Sequence, residues 1–166
     1  TLIEEFDYPR LGPGQMWEAF RRRVEERGSR VLLERPVSRI LWEQGRGATA
    51  VETSGPHGVE RHEGAAFLSS MPISELVASL DPAPPGEVLS AARALRYRDF
   101  ILVARMFAGD GHFDDNWVYV HSPEIRIGRV QNFGNWSKEM LPRPGVTCLG
   151  LEYFCFETDE LWSLPD

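Results

Sequence analysis

The chain has little cysteine, no long apolar run and no excess of basic charge, and each shortage removes a class of function. Cys148 and Cys155 are its two cysteines. They stand seven residues apart in one apolar run. On a strand that odd spacing points them to opposite faces, roughly 23 Å apart at about 3.3 Å per residue, too far for a disulfide. No metal-type cysteine spacing occurs either, so the usage fits a reduced, cytoplasmic setting. No stretch approaches the roughly 18 apolar residues of a membrane span. Thr1-Leu2-Ile3-Glu4-Glu5 lacks the basic start and apolar core of a secretory signal. Lysine and arginine number 18 against 25 acidic residues, a formal charge of −7. Nucleic acids and anionic membranes are held by basic faces that release counterions, so neither is expected as a partner.

What is present is an ordinary globular composition, 42% hydrophobic and 26% charged over 166 residues, enough for one domain or two small ones. The sequence has no initiating Met and stops at Ser163-Leu164-Pro165-Asp166, which reads as a piece of a longer chain. Met16, Trp17, Phe20 and Val24 recur at helical spacing, predicting a helix over Gln15–Arg27 that Gly28 ends. The arginines on its other face alternate with glutamates and read as a solvated surface. Short β segments are expected at Arg30–Leu33, Val37–Trp42, Ala48–Thr53, Val59–His62 and Ala65–Ser70, with glycine turns between the middle three. Pro72 opens a second helix through Leu80. Asp81-Pro82-Ala83-Pro84-Pro85-Gly86 cannot continue a helix and is taken as the internal boundary, giving segments 1–80 and 81–166. Beyond it come a helix at Glu87–Leu95, strands at Tyr97–Phe107, Trp117–His121, Ile125–Gln131 and Val146–Phe156, and a short helix near Ser137–Leu141. The expected class is α+β, with a mostly antiparallel sheet after Tyr97 covered by the 87–95 helix.

Few residues suggest chemistry. Gly12-Pro13-Gly14 lacks the third glycine of a dinucleotide turn, since Trp17 stands there, and no βαβ context surrounds it. His57, His62, His112 and His121 have no zinc-type spacing, so no metal site is expected. Ser69-Ser70 lacks the glycines of a nucleophile elbow, and no general base is evident. Asn135-Trp136-Ser137 matches a glycosylation pattern that has no meaning without secretion. The densest polar–aromatic stretch runs from Asn116 through His121, then Arg126, Arg129, Gln131, Asn132 and Trp136. Strand alternation puts Trp117, Tyr119 and His121 on one face, and likewise Arg129 and Gln131. Aromatic rings beside amide and guanidinium groups suit a polar ligand, although composition alone favours an aromatic-rich sheet packed against helices. Tyr119, Arg129, Asn132 and Trp136 are the candidates for contact with a small-molecule substrate.

Phe6 to Glu18, with Gly12-Pro13-Gly14 opening a helix, resembles a segment of flavin amine-oxidase-like proteins. Val31-Leu32-Leu33, Val37-Ser38-Arg39-Ile40 and Phe67 to Pro72 resemble the strand, the turn into a meander and the proline-ended strand that follow in that family. The remaining stretch, from Leu95–Phe100 through Gly150–Phe156, resembles a bacterial subgroup, the protoporphyrinogen-oxidase-like and UDP-galactopyranose-mutase-like FAD-dependent oxidoreductases. The resemblance implies FAD in a longer parent, with residues 1–80 completing its FAD-binding domain and 81–166 contributing part of the substrate domain. It implies that the backbone at Val37 edges the adenine, with Met71 and Pro72 nearby. Gly12 and Gly14 would approach the flavin ring or substrate. The family's phosphate-cradling turn has no counterpart here. The isolated chain is therefore expected to hold no FAD tightly and to be inactive, whatever oxidoreductase or mutase chemistry the parent performs. The missing FAD-binding portion would be its natural partner. Without that portion, the 16–24 stripe and the edges at 31–33 and 65–70 are expected to drive self-association. The rival reading is a non-catalytic sheet domain that binds a sugar or protein through Trp117, Tyr119 and Trp136.

Overall fold

The computed structural model describes residues 6–110 and 112–165, and it divides into two compact units. One is 32–96; the other joins 1–31 to 97–166. The architecture is α+β, as composition and periodicity predict.

The 32–96 unit is a meander with one added strand. Strands β1 (Val37–Glu43), β2 (Gly47–Gly55) and β3 (Gly58–Glu63) pair antiparallel. Gly45, Gly47 and Gly58 turn the chain with φ of 81°, 86° and 104°, values that side chains with a Cβ rarely adopt. The free edge of β1 is taken by β4 (Leu80–Asp81), which pairs parallel to it, Ile40 opposite Leu80. Ile40 and Ala50 are the buried apolar centre of this sheet. Two expected strands are absent. Residues 30–33 have no ladder, and Glu34 follows them at φ 55°, turning the chain before Pro36. Residues 65–70 have no ladder either, and the Phe67 ring lies 3.1 Å from where a Gly64 Cβ would stand.

Helix α2 (Ile73–Ala78) is shorter than expected, since Leu80 leaves it for β4. Helix α3 (Gly86–Ala94), expected as cover for the second sheet, is a member of the 32–96 unit, where it packs against α2. The proline-rich segment therefore lies within a unit, whereas the sequence reading put a boundary at 80/81. Long-range bonds account for this: β4 joins the sheet, and the Trp42 indole donates to the Pro82 carbonyl at 2.7 Å. Neither bond is visible in local composition.

The other unit contains helix α1 (Pro13–Glu26) and the second sheet. Pro13 occupies the first turn, where its missing N–H costs nothing. Gly28, at φ 82°, ends the helix, with the Ser29 N–H reaching back to the Val24 carbonyl. No residue of α1 is buried, and its apolar stripe is open, with Trp17 64% exposed. The second sheet runs in the order β5-β8-β7-β6, all antiparallel: β5 (Asp99–Ala108), β6 (Trp117–Tyr119), β7 (Arg129–Asn132) and β8 (Val146–Cys155). Strands β6 and β7 are shorter than predicted because Ser122-Pro123-Glu124-Ile125 closes a turn, its ends joined at 3.1 Å. Helix α4 (Phe133–Trp136) and a 3-10 turn at Lys138–Met140 connect β7 to β8. Cys148 and Cys155 lie on opposite faces of β8, both buried and both free.

Candidate functional site

The register of the second sheet assembles the candidate residues. Tyr119 stands opposite Arg129, Arg129 opposite Glu152, and Glu152 opposite Leu102. One step along, Trp117 faces Gln131 and Gln131 faces Gly150. Directly paired residues share a sheet face, so both rows project to the same side. Sequence alternation grouped each strand's residues correctly; only the pairing joins the groups.

Glu152 is the centre. It is 1% exposed, and a bare carboxylate there would be prohibitively costly. Arg129 compensates it bidentately, Nε donating to one oxygen at 2.7 Å and Nη2 to the other at 2.9 Å. The Gln131 amide also donates to this carboxylate. The Glu152 hydrogen bonds hold the Arg129 guanidinium above its already high ordinary pKa, so it stays charged. The same guanidinium lies 5.9 Å from the Tyr119 ring centroid, within cation–π range. A guanidinium has more N–H donors than the pair with Glu152 uses, so Arg129 can still meet an anionic or carbonyl oxygen.

An aromatic wall stands beside this polar floor. Trp136 stacks on Trp117 with centroids 5.3 Å apart and planes 9° from parallel. Tyr8 and Phe6 add rings 5.0 and 5.7 Å from Trp136. Helix α4 can lie this close because Gly150 has no side chain: a Cβ there would be 2.8 Å from the Phe133 ring. The Ser137 hydroxyl donates to the Arg10 carbonyl at 2.6 Å, tying the 6–12 segment to this wall. The Trp136 indole N–H is buried and has no hydrogen-bond partner among the described residues.

Of the residues read from the sequence as substrate contacts, Tyr119, Arg129 and Trp136 come together. Asn132 does not join them. It is 4% exposed, and its side chain accepts from the Gly134 N–H at 3.2 Å and donates to the Phe113 carbonyl at 3.3 Å. It caps α4 and so positions Trp136 from behind. Glu152 was missed, although a lone carboxylate inside the apolar run 146–156 signals that a partner must be found for it.

The residues associated with a flavin are divided. Gly12 and Gly14 belong to one unit, Val37, Met71 and Pro72 to the other. At Gly14 a Cβ would meet nothing within 4 Å, whereas at Gly12 it would lie 3.5 Å from the Met140 methyl, and α1 has no side-chain cap. Val37 opens β1 opposite Thr53, the Met71 N–H is bonded by the Ser69 hydroxyl at 3.2 Å, and Pro72 precedes α2. Among the described residues no group of three or more His, Cys, Asp or Glu is placed to hold a metal ion, and no helix is long and apolar enough to cross a membrane.

No protein-family model and no curated protein matches the sequence. Solved structures do match the fold. A crystal structure of reduced UDP-galactopyranose mutase superposes with a TM-score of 0.73 at 19% identity, over 89% of this chain and 32% of its own. A Pyrococcus furiosus protein superposes with a TM-score of 0.72 at 15% identity, over 93% of this chain and 37% of its own. The likeness is one of fold. The chain spans about a third of the length of each of these two neighbours.

Proposed function

We propose that this chain is part of a FAD-dependent flavoprotein, an oxidoreductase or mutase, in which the second sheet presents the substrate-facing surface. The carrying observation is the floor of Arg129, Gln131 and Tyr119 anchored by buried Glu152, beside the Trp117–Trp136 stack. The likeness to a mutase crystallised in a reduced state, hence one with a redox group, supports a flavin in the parent. A bound flavin would supply the electron chemistry. This chain's own residues would bind and orient a small polar substrate, with Arg129 meeting an anionic or carbonyl oxygen and the rings covering its apolar side. Gly12 and Gly14 would line the flavin or substrate, and Val37, Met71 and Pro72 the adenine side. The open α1 stripe would be covered by the FAD-binding portion of a longer chain, or, in its absence, by a second copy.

The test is to read the encoding gene beyond both ends, express the whole reading frame and record its visible spectrum. A stoichiometric flavin in the whole protein, with none retained by the 166-residue chain, is the expected result. Arg129→Lys in that protein should keep the flavin and lower kcat/KM by about tenfold or more, because a bidentate fork becomes a point charge. A colourless whole protein would overturn the flavin reading and favour a sheet domain that binds a sugar or protein through Trp117, Tyr119 and Trp136.

A further inference from the structure

A separate cleft lies on the other side of α4. Phe133 and Trp136 pack toward the sheet, while Gly134 and Asn135 line this second hollow of about 620 Å³, a size suited to a small ligand. Its walls are pinned. The Gly109 N–H donates to the Gly145 carbonyl at 2.9 Å, the Thr147 hydroxyl donates to the Gly109 carbonyl at 2.7 Å, and the Asn135 amide holds the 113 and 115 carbonyls, both at 2.9 Å. Into this frame come Lys138 and Arg143, neither of which forms an ion pair with any described residue. Their charges are therefore not neutralised by a carboxylate, unlike those of Arg129 and Arg39. Asp110 is the one acidic residue in the lining among the described residues, which together bring one net positive charge to the cleft. Leu141, Pro142 and Pro144 give it an apolar side.

We propose that this cleft binds a small monoanionic carboxylic acid, the carboxylate between Lys138 and Arg143 and the apolar body against Leu141, Pro142 and Pro144. The guanidinium fork matches a carboxylate and the ammonium adds a point charge. Asp110 repels ligands with several negative charges, which separates this site from a phosphate cradle. No residue of the Arg129 floor takes part, so the inference stands apart from the flavin reading.

The experiment is a set of amide NMR titrations of the 166-residue chain with benzoate, acetate and inorganic phosphate. Saturable benzoate shifts at 134–147 are expected, with acetate and phosphate at least tenfold weaker. The double variant Lys138→Gln/Arg143→Gln should weaken benzoate at least tenfold while amides of the 32–96 unit keep their positions. Asp110→Asn, which removes the repelling charge, should tighten benzoate several-fold and serves as the readout should the double variant unfold. Non-saturable shifts, a benzoate affinity unchanged in the double variant or in Asp110→Asn, or phosphate binding as tightly as benzoate would each overturn the proposal.

Discussion

Each unit contains an arginine that meets carboxylates across strands, and the two networks differ in one respect, access to water. In the 32–96 unit Arg39 reaches Glu52 at 3.3 Å and also Asp81, with half of its side chain in solvent. In the other unit Arg129 grips a Glu152 side chain that is 2% exposed. Asp81, chiefly, raises the Arg39 pKa, and Glu152 raises that of Arg129, so both cations are permanent. Their energetic roles are opposite. An exposed pair is screened, and ordering its long side chains offsets most of the attraction. A buried carboxylate has lost its water, and removing its partner leaves that loss uncompensated. The Arg39 network decorates a meander, whereas Arg129 compensates a carboxylate that the second sheet has already taken out of water.

The sharpest way to break the contrast is Arg129→Ala, which should destabilise the unit by about 3 kcal/mol or more, measured by urea unfolding. The paired replacement Arg129→Met/Glu152→Leu should recover most of that loss, because no charge is then stranded. Full loss in both variants would show that the charge itself is not the issue. Gly150→Val comes next. Its branches would press on the Phe133 ring and on Leu102 Cδ1, 3.0 Å from the Cβ position, costing about 1–3 kcal/mol and unstacking Trp136 from Trp117. The unstacking would be read in the near-ultraviolet circular dichroism. Arg39→Ala should shift the melting temperature only slightly at low salt and not at all at molar salt, where exposed charges are screened. A shift that persists in salt would erase the distinction between the networks.

The smallest effect concerns Cys148. Burial pushes its thiol above the ordinary value of 9.0. The unfolded chain then gives up this proton first as pH rises. The associated stability is present below the unfolded value and declines as pH climbs from there toward the folded one. Cys148→Ala should flatten the fall in melting temperature above pH 9.0, and an unchanged slope would assign that fall to other groups.

Elements whose signal is local were legible in the sequence. Helix α1, the meander and β8 each carry their own period and their own glycine stops, and each lies within a few residues of its expected bounds. The two strands that failed, 30–33 and 65–70, have apolar composition without a partner edge, and composition cannot supply an edge. The 80/81 boundary was read from prolines, which mark where a helix ends, whereas the compact units divide at 31/32 and 96/97. At the candidate site, strand alternation placed Tyr119 beside Trp117 and Arg129 beside Gln131. It could not distinguish Asn132, whose side chain is turned to capping α4, from its neighbours.

By itself the sequence determined the α+β class, the acidic surface, the separation of the cysteines and most element positions, because these follow from periodicity, charge and backbone stereochemistry over short spans. Only the tertiary structure decided that Arg129 meets Glu152, 23 residues away, that Trp136 stacks on Trp117, and that β4 closes the first sheet. The reason is physical: a strand's hydrogen bonds and a buried charge are satisfied by whatever the register brings opposite, and register is a property of the whole sheet.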